Sequence, residues 1–317
     1  MQPILKLGSR GSPLALAQSR LTRAVLAAVH GLAGADKARA AFPVTRITTT
    51  GDRITDRRLI EAGGKGLFTR EVEQALLAGT VDVAVHSMKD MPVQQPDGLM
   101  LAGFLPREDP REALIARRGH SLSELPEGAR IGTASLRRQA QVHGLRPDCT
   151  VATLRGNVGT RLGRIEAGDF DATFLALAGL KRLGLADRVS AVIAPEEMLP
   201  APAQGAIGLQ IREHDTRALA LLAPVLCAET ALCLAAERSF LAALDGSCRT
   251  PIAALAQIAG DALRLRGAVF TPDGAQCWRC DVRSTLGHEA LDEAAALGAA
   301  QGRIIAAGAG ELIRWAD

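Results

Sequence analysis

The sequence predicts an α/β chain of two similar lobes with mixed, mostly parallel sheets, followed by a smaller α+β domain. Three observations carry that prediction. Short apolar runs alternate with amphipathic helical stretches through the first third of the chain, the pattern of strand, helix and parallel strand. The same rhythm restarts after Pro106. Beyond about residue 224 it gives way to one long helix, three strand-like runs and a terminal helix. With 317 residues and 48% hydrophobic content, the chain is long enough for two or three domains with buried cores. The expected boundaries are 1–105 with 201–223 for the first lobe, 106–200 for the second and 224–317 for the third.

Element by element, the first lobe reads as a strand over Ile4 to Leu7, a helix over Leu14 to Val29, a strand over Val44 to Thr49, a helix over Leu67 to Leu77 and a buried strand over Val81 to Val85. In the second lobe Ile131-Gly-Thr leads into a helix from Leu136 to Val142. Thr150 to Leu154 precedes a helix from Val158 to Glu166, and Ala172 to Leu177 is another buried strand. The Pro-rich stretch from Ala194 to Ala203 reads as a linker. After it, Ala206 to Ile211 returns to strand character and is expected to cross back to the first lobe. The third domain is read as a helix from Glu229 to Leu244, strands over Ala253 to Ile258, Leu263 to Phe270 and Gln276 to Val282, and a last helix.

Composition narrows the function classes. Net charge is only +3, from 37 Lys and Arg against 34 Asp and Glu, so the total favours neither nucleic acid nor an anionic membrane. Aromatic content is 3% with no Tyr, which leaves few rings on which bases could stack. No stretch of about 18 apolar residues stands out as a membrane span, and the N-terminus lacks the pattern of a secretory signal. The expected location is the cytoplasm. Six scattered cysteines in a chain of this length do not form a disulfide framework. Cys277-Trp-Arg-Cys280 matches C-x-x-C but falls on an expected strand with no second pair to complete a zinc site, so no metal is expected.

Chemistry concentrates at junctions between strands and helices. In Arg10-Gly-Ser12-Pro13, Ser12 suits a helix N-cap and Pro13 the first helical position, and the free amides there attract an anion to which Arg10 adds a full charge. The same residues also make an ordinary helix start. Thr133-Ala-Ser135-Leu-Arg137-Arg138 repeats the ingredients in the second lobe, and Arg155-Gly156 to Arg161, then Lys181-Arg182, follow at further boundaries. Guanidinium forks grip carboxylates through paired, charge-assisted hydrogen bonds, so several of them facing one cleft imply a polycarboxylate ligand. A phosphate loop of the G-x-x-x-x-G-K-[ST] type is absent. Lys65, in Gly63-Gly-Lys-Gly66, reads as a cation on a glycine-rich loop. The strand into His86-Ser-Met-Lys89-Asp90 ends in a fixed cation beside a proton carrier, at the kind of strand end where α/β folds place ligands. A hydrolase triad from His86, Ser87 and Asp90 is disfavoured, because adjacent residues do not converge and no G-x-S-x-G is present. Cys248, in Asp-Gly-Ser-Cys-Arg249, is read either as an accessible thiol beside a cation or as an inert small core residue.

Six segments taken together, Arg10 to Ala17, Gly63 to Phe68, His86 to Asp90, Gly132 to Gln139, Leu154 to Leu162 and Gly246 to Cys248, closely resemble porphobilinogen deaminases in order and spacing. The resemblance covers essentially the whole chain. It implies two periplasmic-binding-protein-like lobes with a third domain, and a transferase that joins four porphobilinogen molecules into the linear tetrapyrrole hydroxymethylbilane. It also implies a dipyrromethane cofactor attached by thioether to Cys248, with Asp90 as the central acid/base. Arg10, Ser12, Lys65, Lys89, Thr133, Ser135, Arg137, Arg138, Arg155, Gly156, Arg161 and Arg182 match positions that hold cofactor or substrate. By the same resemblance the chain is expected to work as a monomer and to pass its product to a uroporphyrinogen III synthase, with no membrane or nucleic-acid partner. Two departures stand out: Glu61, where some members carry Lys, and Ala203-Gln-Gly205 in place of a Gly-Gln-Gly hinge. Truncating Arg137 or Arg155 is expected to impair cofactor assembly or elongation far more than thermal stability. The rival readings are a two-lobed small-anion-binding protein without catalysis and, further off, a nucleic-acid-binding module.

Overall fold

The computed structural model describes residues 2–53, 66–244 and 250–310. They divide into two units, Met1–Glu108 with Ala206–Thr230 and Asp109–Gly205 with Ala231–Asp317. In the first unit β1 (Leu7–Arg10), β2 (Val44–Ile47), β3 (Val83–Ser87) and β4 (Leu99–Phe104) are joined by a strand from far along the chain, β10 (Ile207–Arg212). Their order is β2-β1-β3-β10-β4. β1 runs parallel to β2 and β3, while β10 is antiparallel to both its neighbours. The sheet is therefore mixed and mostly parallel, and Ile207–Arg212 does return to it. Around it lie α1 (Pro13–Val29), α2 (Ala35–Ala41), the short turn α3 (Thr50–Arg53) and α4 (Arg70–Leu77).

The second unit repeats the plan. β5 (Glu112–Ala116), β6 (Arg130–Gly132), β7 (Thr150–Ala152), β8 (Ala172–Ala176) and β9 (Ala191–Ile193) are ordered β7-β6-β8-β5-β9. Here β5 is the antiparallel member and occupies the place that β10 takes in the first sheet. α5 (Leu136–Leu145), α6 (Val158–Glu166) and α7 (Leu177–Arg182) follow β6, β7 and β8. Because β6, β7 and β8 are parallel neighbours, those three helices begin at one edge of the sheet. Past α8 (Thr216–Leu222) and α9 (Ala228–Ala243), the strands β11 (Ile252–Ala259), β12 (Ala262–Phe270) and β13 (Cys277–Thr285) form an antiparallel meander, and α10 (Ala290–Ala309) is the last element among the described residues. A buried cluster of Ala140, Leu199, Ala253, Leu255, Ala268 and Phe270 packs α5 and the Pro-rich linker onto this small sheet, which makes it part of the same unit.

Two expected strands sit two or three residues early. Residues 4–7 were expected to pair, but Ile4 and Leu5 donate their amides to the Ala41 carbonyl (2.7 and 3.2 Å) and the ladder runs from Leu7 to Arg10. Likewise the third strand runs on to Ser87, where His86 and Ser87 pair with Gly208 and Ile207. In both places pairing continues past the apolar run into Ser9, Arg10, His86 and Ser87, polar residues that the apolar pattern leaves out. Cys277 and Cys280 do fall on a strand. Three residues apart, they project to opposite faces, so they are geometrically unsuited to pair with each other.

Ala203, one of the two departures from the family pattern, adopts φ +60°, and the neighbouring Gly205 adopts φ +91°. Positive φ at a residue with a Cβ costs roughly 1–2 kcal/mol. The turn is held nonetheless: the Ala203 amide donates to the buried Glu237 carboxylate at 2.5 Å, and Gln204 Nε2 donates to the Pro110 carbonyl at 2.8 Å.

Candidate active site

In the first unit the carboxyl ends of β1 and β3 lie side by side, because the two strands are parallel neighbours. That register brings the Arg10 turn and the Lys89-Asp90 turn to one edge. Ser12 caps α1 by accepting from the Ala15 amide at 3.3 Å, and Pro13 opens the helix. Arg10 is not simply solvated, since its guanidinium carbon stands 4.0 Å from the centroid of the Phe68 ring, a cation–π contact. After β3 the chain makes a single 3-10 turn over Met88–Asp90. Met88 is buried and its amide donates to the Ala206 carbonyl at 3.1 Å. Its thioether fills the space above Gly208, where a Cβ would lie 2.1 Å from the sulfur. The turn is thereby pinned to β10, with Lys89 half-buried and Asp90 exposed.

Behind this edge sits His86, to which the sequence gave a place in the His86 to Asp90 segment and in a disfavoured triad. Its Nε2 lies 3.0 Å from Gln210 Oε1, and Gln210 Nε2 donates to Gln95 Oε1 at 2.9 Å. Gln210 thus presents its oxygen to the ring, which donates from Nε2. Burial lowers the His86 pKa to about 4; the Gln210 hydrogen bond opposes that, Arg10 lowers it further and Asp90 raises it. Arg10, His86 and Asp90 therefore share one electrostatic neighbourhood. Since the folded value lies below that of an unfolded histidine, the neutral ring stabilises the unit above about pH 6.5, and this contribution is lost as pH falls toward 4. The expected result of following the His86 ring protons by NMR is a midpoint near 4. A midpoint near the ordinary value would show that the ring is hydrated.

In the second unit Thr133 and Ser135 follow β6, and Arg155 and Gly156 follow β7. Thr133 donates its amide to the Ala152 carbonyl at 2.9 Å, and its hydroxyl accepts from the Ser135 amide at 3.1 Å. Ser135 caps α5 by accepting from the Arg138 amide at 3.4 Å. Asn157 caps α6 through the Thr160 amide at 3.0 Å. Gly156 takes φ +108°, and a Cβ there would meet Thr160 at 2.7 Å, so the turn requires glycine. Arg161 Nε donates to the Gly156 carbonyl at 2.9 Å and holds that turn. Arg182 Nη2 donates to the Gly205 carbonyl at 2.6 Å. Arg155 is half-buried, and its Nη1 is buried with no acceptor among the described residues. An acidic oxygen would satisfy it.

Arg137 and Arg138 are differently placed from what their sequence position suggests. They are 6% and 5% exposed, and between them lies Glu112, fully buried. Arg137 Nη2 donates to Glu112 Oε1 at 2.5 Å and Arg138 Nη2 to Glu112 Oε2 at 2.8 Å. Their Nη1 atoms donate to the Leu199 and Phe174 carbonyls at 2.7 and 2.6 Å. Burial pulls the Arg137 pKa below its ordinary value; Glu112 opposes this and Arg138 reinforces it. The expectation that truncating Arg137 impairs cofactor assembly or elongation far more than thermal stability does not fit this geometry. Removing it would leave the buried carboxylate short of a partner. Glu112 itself was missed, because one acid at the head of an apolar run reads as a solvated strand start. Lys65, Glu61 and Cys248 lie outside the described residues.

A family model described as porphobilinogen deaminase, dipyromethane cofactor binding domain, matches residues 5–220, and one described as porphobilinogen deaminase, C-terminal domain, matches residues 231–304. A porphobilinogen deaminase of Paracoccus denitrificans (strain Pd 1222) is 54% identical over 272 residues, 86% of this chain and 85% of the relative. One of Nitrobacter hamburgensis (strain DSM 10229 / NCIMB 13809 / X14) is 50% identical over 305 residues, 96% of this chain and 93% of the relative. Among solved structures, the BvgS VFT2 domain of Bordetella pertussis (double mutant F375E/Q461E) is 14% identical with a TM-score of 0.36, covering 69% of this chain and 84% of the domain.

Proposed function

Given that this chain belongs to the porphobilinogen deaminase family and contains its dipyrromethane-cofactor domain, we propose that it joins four porphobilinogen molecules head to tail into hydroxymethylbilane, on a primer held by thioether to Cys248. The observation that carries this reading is the donor set at the carboxyl edge of the second sheet. Capped helix starts at Ser135 and Asn157, the Thr133 turn, and the buried Arg155 Nη1, which has no acceptor among the described residues, suit a ligand with several carboxylates.

Within the second unit, Thr133, Ser135, Arg155 and Gly156 would hold the primer's carboxylates, with Arg161 and Arg182 fixing the adjoining turns. Arg137 and Arg138 would contribute charge from beneath the start of α5. Arg10, Ser12 and Lys89 would serve acidic groups at the edge of the first unit, with Lys65 as a further cation. When bound, the dipyrromethane supplies a nucleophilic α-carbon on its terminal pyrrole. Asp90 does the proton work. Its carboxyl group delivers a proton to the departing amine as the C–N bond of the aminomethyl group breaks, and ammonia leaves. Once the new C–C bond has formed, the carboxylate takes up the proton displaced from the α-carbon. Each cycle returns Asp90 to its starting state, so one residue serves every addition. Neutral His86, buried behind the turn, adds no further cation beside Arg10 and Lys89.

Family membership disfavours a purely anion-binding protein. We assign the chain to the cytoplasm as a monomer without nucleic-acid or membrane partners, handing its linear product to a uroporphyrinogen III synthase. The direct test is to incubate purified chain with porphobilinogen and measure ammonia and linear tetrapyrrole together. Four ammonia molecules per tetrapyrrole are expected. Saturable binding without ammonia release would instead favour the binding-protein alternative.

A further inference from the structure

We infer that Glu112 is a positioning residue for the carboxylate-binding edge of the second unit. Its buried carboxylate, shared between Arg137 and Arg138, sets the first turn of α5 in the place where the Thr133 and Ser135 loop receives an acidic pyrrole. The inference rests on the deaminase reading and assigns that reading a further residue.

Arg137 and Arg138 are the second and third residues of α5 after the Ser135 cap, so whatever grips their side chains also fixes the helix start. Three other segments do so. Glu112 reaches in from β5, where it pairs with Ala176 at the carboxyl end of β8. The Phe174 carbonyl of β8 takes Arg138, and the Leu199 carbonyl of the linker takes Arg137. Gln141, one turn further along α5, completes the tie by donating to the Leu199 carbonyl at 3.0 Å and accepting from its amide at 2.9 Å. Among the described residues, Glu112 is the charged group that touches both guanidinium groups.

Charge points the same way. One carboxylate between two guanidinium groups leaves a buried net charge of one positive unit behind a helix N-terminus, where the free amides already favour an anion. Arg138 Nε is buried with no acceptor among the described residues. Without Glu112 two adjacent buried cations would repel each other and pull the first turn out of register. Glutamine would preserve the volume, but it offers one acceptor in place of two and turns an amide NH2 toward a guanidinium group.

The test compares Glu112→Gln with Leu122→Ala, a core truncation in the same unit, by thermal unfolding, steady-state kinetics and intact mass. Both variants lose stability. Glu112→Gln is expected to raise the KM for porphobilinogen by roughly tenfold or more, with a smaller change in kcat, because displaced binding groups are costly. It is also expected to lower the fraction of chains that carry the primer, whereas Leu122→Ala keeps the wild-type KM and full loading. Glu112→Asp retains the charge but is one methylene too short to hold both guanidinium groups at these distances, so it should recover only part of the loss. A folded Glu112→Gln with wild-type KM and full loading would overturn the inference. If that variant does not fold, wild-type KM and loading in Glu112→Asp would overturn it equally. A wild-type chain that neither carries a primer nor makes tetrapyrrole would sink the deaminase reading itself.

Discussion

Asp90→Asn is expected to abolish tetrapyrrole formation while leaving the folded chain intact. Asp90 is exposed at the end of a turn whose anchoring falls to Met88, so an isosteric amide there disturbs neither the sheet nor the Met88 contact with β10. The amide does, however, lack a proton that can be given and taken back in each cycle. Loss of a general acid/base ordinarily costs 10²- to 10⁴-fold, and because every addition is slowed alike, tetrapyrrole formation as a whole should fall by about that factor. Product formation checks the rate, and circular dichroism with thermal unfolding checks the fold. Turnover within a few-fold of wild type would remove Asp90 from the mechanism.

Arg137→Ala should destabilise the second unit by about 3–5 kcal/mol, the usual consequence of stripping one partner from a buried ion cluster. Glu112 would retain only Arg138 among its charged partners named above, and the Leu199 carbonyl would keep Gln141 among the described donors. Arg155→Ala offers the contrast. That side chain is half-buried, with a buried Nη1 that has no acceptor among the described residues. Its truncation should change stability by less than about 1 kcal/mol and still lower primer loading. Denaturant midpoints of the two variants separate the roles. Equal stability losses would show that the buried cluster is no more costly to break than a binding arginine at the edge.

These two arginines also show where sequence reasoning stops. Helix starts were legible because their signals are local: Ser12 with Pro13, and Ser135, each cap a helix within three or four residues of the signal, and Asn157 does the same where only the boundary had been read. The mostly parallel sheets followed from alternating apolar and helical runs, and the return of Ile207–Arg212 from a strand-like run after the Pro-rich linker. Burial of charge was not legible, because it depends on partners brought from far along the chain. Glu112 is 25 residues from Arg137 and His86 is 124 residues from Gln210. No periodicity links such pairs. The two displaced strands fail for a related reason. An apolar criterion ends where the polar residues begin, and at β1 and β3 the strands continue into the residues that carry chemistry. Ala203 is the opposite case. The sequence marked the departure from glycine, and the backbone there is indeed one that glycine fits better.

The central claim is that this chain builds tetrapyrrole on a primer bonded to Cys248, and intact mass under denaturing conditions tests it most directly. The wild-type chain is expected to weigh its 317-residue polypeptide plus two pyrrole rings and to redden with Ehrlich's reagent, while Cys248→Ser weighs the polypeptide alone. A wild-type chain at the bare polypeptide mass, or added pyrrole mass that persists in Cys248→Ser, would contradict it.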